Sequence, residues 1–526
     1  MKRFVFWIWA LCAAAPGFAD QVTIDGVTWT YSVRSRGGAS YAVIEEASGV
    51  QGTVTVPATL GGVPVTELET GFLGMSGVFY GCTELTEVRW EEGCAIEKIG
   101  GYAFMKCTNL TQITIPPSVT ELGNQVFSGS GLEAVTIPGT VKTLGAEVFA
   151  ECPGLKTAVF EKGDELYGGD VDDGMFVACP ELETVTLKRL QTLSDSFFLD
   201  CPKLTSVSLP ATLREIEESA FSLSPNIVFT LDAGVTRFSV ENGMLRSATG
   251  LYYVPGDPER LEIPDGITDM LSGVCRGMTN LREVTVPDTL KSIGTYAFYG
   301  CASLEEIDLS GTQVTTLPEG AFANCPALAW VRLPATFGSF MMDSTFAYSP
   351  NVRFEVAEGN KTFASDEQGA LYSKDMTILF LGPNAASFTV PETVTAIAPY
   401  AFDGRAALRS ITLPASVRDF GYDVFRGCTN LASENGLWLD AEQTTVLGID
   451  AEKTAIAADD FPETVWRVAD YAFYKNTSLS AAAFPKGVTS IGASAFYYCG
   501  NLGTVTLAEG LEEIRDGAFY STDIGG

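Results

Sequence analysis

The sequence predicts a repeat solenoid: a β-rich, right-handed coil of short strands and short helical turns, with a β cap at its N-terminal end. Three observations carry this. A unit spaced mostly 22 to 24 residues recurs about sixteen times. No single unit holds enough apolar residues to make a core, whereas stacked units bury theirs against one another. Within each unit the apolar residues alternate like a strand before a proline stops them.

The unit opens with a small or apolar residue followed by Phe-x-x-Cys-x-x-Leu, as in Ala103-Phe104 with Cys107 and Leu110, Ala297-Phe298 with Cys301 and Leu304, and Ala495-Phe496 with Cys499 and Leu502. The Phe recurs at 79, 104, 127, 149, 176, 198, 221, 298, 322, 346, 402, 425, 473, 496 and 519, and Cys275 takes its place in one further unit. An apolar-x-apolar-Pro segment follows, such as Ile113, Ile115 and Pro116, and reads as a strand. A second apolar pair comes next, such as Val119 and Leu122, often followed by Gly123, Gly145, Gly294 or Gly492. Glycine there fits a tight corner that needs unusual backbone angles. The Ala-Phe segment is expected to form one short helical turn.

This pattern, Ala-Phe-x-x-Cys-x-x-Leu…Ile-Pro…Val-x-x-Ile-Gly, resembles the BspA-type leucine-rich repeats of bacterial and protist surface proteins, over roughly residues 65–520. The resemblance implies a secreted or surface-displayed solenoid. Some members of that family are described as adhesins for host proteins or other cells, so the name implies architecture more than activity.

Three spacings are long: Phe221 to Cys275, Phe346 to Phe402 and Phe425 to Phe473. They hold similar inserts, near 228–270, 353–398 and 432–468, marked by Asn242-Gly243, Gln368-Gly369 and Asn435-Gly436. Asn-Gly is a hairpin signal, so each insert reads as a modified coil bearing a β-hairpin. Residues 20–64 alternate at Val27, Trp29 and Tyr31 and are expected to cap the core, with residues 65–526 forming the solenoid. The last Phe lies seven residues before Gly526, and an end without a cap would invite end-to-end contact with a partner.

Lys2 and Arg3, the apolar run Phe4 to Ala15, and Gly17 and Ala19 together read as a signal peptide of residues 1–19. Its removal takes two bases and no acid, moving the net charge from −32 to −34. The expected location is therefore exported, secreted or at the cell surface, with no membrane insertion after cleavage. The acidic balance argues against nucleic acid as a partner. No histidine is present, which removes His-based triads and His zinc sites.

Nine cysteines stand at the ladder position (82, 107, 152, 179, 201, 301, 325, 428 and 499), where other units place Ser130, Ser224, Ser349 or Thr522. That exchange indicates a small residue tucked at a turn. Stacked side chains point in parallel, so buried free thiols are favoured over disulfides, with Cys94 the exception to watch. Asp170, Asp172 and Asp173 are the one calcium candidate. Gly174 sits where an EF-hand needs a third ligand and no Glu follows at position twelve, so a solvated acidic turn is the simpler reading. No Gly-x-Ser-x-Gly elbow, phosphate loop or singled-out carboxylate pair is present, so no catalytic residue and no cofactor are assigned.

A ligand would meet the outward residue between the two apolar strand positions. Six of twelve such residues are Thr (for example 114, 136, 186, 285, 412 and 506), a β-favouring surface ladder. Arg89 beside Trp90, and Trp330 with Arg332, depart from it and are the candidate ligand-binding residues, because Trp and Arg dominate protein-binding hot spots. Trp90 itself is expected to face the core. The expected function is a non-enzymatic binding or adhesion module for a protein or glycan ligand. A passive component of a surface layer is the alternative, and an enzyme acting on extracellular polymers lacks an uncommitted stretch long enough for a catalytic domain.

Overall fold

The structure is a computed structural model that describes residues 19–69, 76–163 and 174–525. The chain is a β-solenoid of about 20 turns with almost no helix. The Phe ladder marks fewer turns than that, because the inserts and residues 20–64 contribute strands without an Ala-Phe corner. The chain divides into two compact units, Met1–Leu245 and Arg246–Gly526.

In the first unit three antiparallel strands come first: Asp20–Ile24, Val27–Arg36 and Ala39–Ser48. The turn Asp25-Gly26 has φ of 49° and 86°, the pair of positive values that a two-residue hairpin turn requires. The third strand then pairs in parallel with Val63–Leu68, and a ladder of two-residue strands continues through Lys98–Ile99, Glu121–Leu122 and Thr143–Leu144. A second, longer ladder stacks Ala134–Ile137, Thr157–Phe160, Thr184–Thr186, Ser206–Leu209 and Val228–Leu231, all parallel and in register. Each coil thus gives one long and one short strand, and alternate residues of the long strand point inward, as at Val135 and Ile137.

Inside, like stacks on like. Phe79, Phe104, Phe127 and Phe149 lie with ring centroids 5.1, 5.5 and 5.5 Å apart and planes within 8° of parallel, the offset arrangement that aromatic quadrupoles favour. Trp29, fully buried, meets the first of them edge-on at 5.9 Å.

The Ala-Phe corner is not a helical turn, which corrects the expectation from sequence. In residues 100–107, Ala103, Met105 and Cys107 donate N–H bonds back to Gly100, Tyr102 and Phe104. The intervening Tyr102, Phe104 and Lys106 donate instead to Asn124, Val126 and Ser128 of the next coil, each at 2.8 Å. Tyr102 and Lys106 hold positive φ of 62° and 60°, which breaks any helix and turns alternate N–H groups along the stacking axis. Every second amide therefore bonds between coils, an arrangement that an intrahelical i to i−4 ladder forbids.

The glycines after the short strand also differ from expectation. Gly123, Gly145, Gly294 and Gly492 do not adopt left-handed backbone. Instead a Cβ on Gly123 would lie 2.4 Å from the Gly101 nitrogen, and one on Gly294 would lie 2.3 Å from the Ser272 nitrogen. Close approach of successive backbones, not backbone angle, selects glycine there.

In the second unit the long ladder runs Arg260–Glu262, Glu283–Thr285, Glu306–Asp308, Trp330–Leu333 and Arg353–Val356. Two inserts then each form a three-stranded antiparallel meander: Phe363–Ser365, Leu371–Ser373 and Ile378–Leu381, and later Ser433–Glu434, Leu437–Leu439 and Thr445–Ile449. Asn435-Gly436 has φ of 51° and 81°, close to the Asp25-Gly26 values. In both inserts the third strand restarts the short ladder in parallel, pairing with Ala396–Ile397 and Arg467–Val468 respectively.

Candidate interaction face

The ladder thiols are free, as are the other described cysteines. Their role is specific. Cys107 Sγ donates to the carbonyl of Phe79, Cys152 to Phe127, Cys179 to Phe149, Cys325 to Phe298 and Cys499 to Phe473, at 3.0 to 3.1 Å. Ser224 and Ser349 make the same bond to Phe198 and Phe322 at 2.5 and 2.7 Å. The position calls for a small buried donor to the preceding coil, which is why Cys and Ser exchange there. Burial pushes the Cys107 thiol up to about 12 and Cys152 to about 11, so these groups stay protonated and unreactive. Cys82 and Cys94 are half-exposed, with smaller upward shifts from the same cause. Arg405 fills a ladder position by a different device: its guanidinium, fully buried and lowered to about 10 by desolvation, donates to the carbonyls of Gly382, Ser349 and Pro350.

The long faces of the two units differ in chemistry. In the first unit the outward residues of the five-stranded ladder are Ala134, Thr136, Thr157, Val159, Thr184, Thr186, Ser206, Ser208, Val228 and Thr230, with no charge among them. In the second unit charges and one indole stand at the corresponding places. Glu306, Trp330 and Arg353 lie side by side across three strands, and so do Asp308, Arg332 and Glu355. Cross-strand neighbours of opposite sign attract, and here they close a network. Arg332 donates Nη1 to Glu306 and Nε to Glu355, both at 3.1 Å, and the Glu306 bond leads in holding its pKa up. Arg353 sits 5.8 Å from the Trp330 ring centre. Arg282 reaches Glu305 at 2.5 Å and Arg260 reaches Glu283 at 3.1 Å. Between these side chains and Trp330 lies an open cavity of about 400 Å³.

Trp330 and Arg332 are therefore brought together on one strand and one face, with Trp330 half-buried and Arg332 pinned between two carboxylates. Arg89 belongs to the first unit and is bound to Glu87 of its own strand at 2.9 and 3.0 Å, with Thr53 on the same carboxylate. Trp90 is half-buried and not a core residue, correcting the expectation: its indole N–H donates to the Thr114 carbonyl of the next coil at 2.7 Å, which holds the ring at the surface. Asp170, Asp172 and Asp173 lie outside the described residues. Among the described residues no group of three or more Cys, Asp or Glu could hold a metal ion, and no helix is long and apolar enough to cross a membrane. Sequence reading missed Glu306, Arg353, Glu355 and Arg282. Glu306 and Arg353 hold a second outward position, before the inward one, that a count along the strand would have found; Glu355 stands in the same register place as Arg332 on the next strand, and Arg282 precedes its strand.

Stacked coils with one long and one short strand, a Phe ladder and a Leu-rich core define the leucine-rich-repeat class. A family model described as the BspA type leucine rich repeat region, in 6 copies, matches residues 75–171, 169–241, 252–366, 378–435 and 452–525, and the chain belongs to that family. Among solved structures, a leucine-rich repeat protein from Bacteroides ovatus is 19% identical, with 84% of this chain and 98% of that chain covered at a TM-score of 0.40. The pneumococcal vaccine antigen PcpA is 16% identical, with 72% and 93% covered at 0.42. A leucine rich cell surface protein from Faecalibacterium prausnitzii is 18% identical, with 93% and 94% covered at 0.32. No curated protein matches the chain.

Proposed function

We propose that the chain is an exported, non-enzymatic surface module that binds a protein or glycan ligand on the long face of its second unit. The observation that carries this reading is the Trp330, Arg332 and Arg353 cluster set in a rim of Glu305, Glu306 and Glu355. An indole stacked by a guanidinium beside hydrogen-bonding carboxylates offers both an aromatic anchor and polar partners, the composition of a binding hot spot. The signal-peptide pattern of residues 1–19 supports export. The burial of Trp29 against Phe79 supports a capping role for residues 20–64. A passive structural role draws on the uncharged Thr and Ser face of the five-stranded ladder in the first unit.

The test is a screen of the chain lacking residues 1–19 against glycan and surface-protein panels, repeated with the W330A/R332A double variant. Loss of two anchors of this kind is expected to weaken a captured ligand by about 30-fold or more, on the order of 2 kcal/mol. Unchanged affinity in a variant that keeps its thermal unfolding midpoint would remove the face from consideration. Ordered self-assembly with no saturable ligand would favour the passive role.

A further inference from the structure

We propose that the corner between residues 421–428 and 470–476 is a vacant rung that binds a short peptide segment through its main chain. In the ordinary corners every second amide donates to the next coil. Tyr400, Phe402 and Gly404 donate to the carbonyls of Tyr422, Val424 and Arg426, and Tyr471, Phe473 and Lys475 donate to those of Ala493, Ala495 and Tyr497. The third insert supplies strands between these corners but no corner of its own. By the same register, the amides of Asp423, Phe425 and Gly427 should donate forward, and the carbonyls of Asp470, Ala472 and Tyr474 should accept. Among the described residues none of these six groups has a hydrogen-bond partner. One wall of the gap thus presents three donors and the other three acceptors, each on alternate residues as in an ordinary corner.

Between them lies a cavity of about 290 Å³, floored by Trp438, Leu447 and Ile449 and reaching the surface at Arg426. Tyr471 and Tyr474 line it, and Tyr422 packs against both rings at 6.1 and 6.3 Å. Tyrosine linings favour polypeptide partners, because they combine apolar area with a polar tip. The gap at the second insert is bridged in part, with one of its three corner carbonyls satisfied and a side chain spanning the break. There Gly382 N–H donates to the Ala401 carbonyl at 2.8 Å, and Arg405 ties Gly382 to Ser349 and Pro350 across the break. At the third gap Asn476 stands in Arg405's place and turns its side-chain oxygen to Ser478 and Leu479 instead. Unpaired main-chain groups on facing walls are the basis of peptide capture by strand addition, and the same logic applies to a corner.

The probe is an end-blocked peptide copying residues 493–498, Ala-Ser-Ala-Phe-Tyr-Tyr, which carries the carbonyls and amides of an ordinary corner. Residue-resolved hydrogen exchange on the full chain reads the result. In the free protein the amides of Asp423, Phe425 and Gly427 should exchange on the order of 100-fold faster than those of Phe402, Gly404, Phe473 and Lys475. Millimolar peptide should slow those three selectively, and a copy N-methylated at its second, fourth and sixth residues should not. Three amides already as slow as their neighbours, no slowing by the peptide (water alone satisfying the gap), or equal slowing by the N-methylated copy would each overturn the proposal. The site is separate from the Trp330 face, so failure here leaves the earlier test untouched.

Discussion

The ladder cysteine shows how one atom can decide a residue. Cys301 is fully buried and its Sγ donates to the Cys275 carbonyl at 3.2 Å. Removing the donor strands a buried acceptor, whereas exchanging it for a hydroxyl does not. Cys301→Ala should therefore cost about 1–3 kcal/mol and Cys301→Ser clearly less, read as shifts in the urea unfolding midpoint. If both variants lose the same amount, volume and not the hydrogen bond governs the site. The Cys and Ser exchange was plain in the sequence, but the acceptor lies about one coil away, so only the stacked structure shows what the side chain is for. Trp90 teaches the same lesson in reverse. Its position in the strand pattern pointed inward, and a carbonyl on the neighbouring coil keeps it half-out.

At the scale of the element, the corner is governed by contact between coils. Gly294 is tolerated in an ordinary backbone conformation, yet a methyl group would press to 2.3 Å on the Ser272 nitrogen. Gly294→Ala should cost about 3 kcal/mol through forced separation of two coils, measured by denaturant unfolding. A near-neutral result would show that the corners can part without loss. The strand pattern, the proline stops and the Asn-Gly turn were legible because each is written within a few residues. The corner was misread as helical because Ala and Phe serve a helix equally well, and the left-handed residues flanking them, such as Tyr102 and Lys106, carry no local signature.

Across the whole molecule, many small burials act in the same direction. Cys107, Cys201, Cys325 and Cys428 are pushed up to about 12 by burial, and Cys152 and Cys499 to about 11. An unfolded thiol releases its proton near roughly 8.5. Above that pH the unfolded chain binds fewer protons than the folded one, so stability is fully present below it and falls as pH rises toward about 12, by up to about 1.4 kcal/mol per pH unit for each buried thiol. A variant with Ser at 152, 201 and 325 should lose stability less steeply over that range. Equal slopes in urea titrations at rising pH would show that these thiols do not couple folding to pH. The charged face is also a property of the assembled coils. Glu306, Arg332 and Glu355 come from three consecutive units and meet only because the strands stack in register.

By itself the sequence determined the repeat, its period, the inward and outward faces of the long strand, and the identity of the ladder residues. These follow from apolar periodicity, which is local and repeated many times. The tertiary structure decided what the period leaves open. It set which amides bond between coils, why glycine follows the short strand, which charges neutralise one another, and whether a side chain bridges an interrupted corner, as Arg405 does, or none does, as beside Asp423. Each of these depends on the distance between groups in different coils, and stacking geometry, not residue order, fixes that distance.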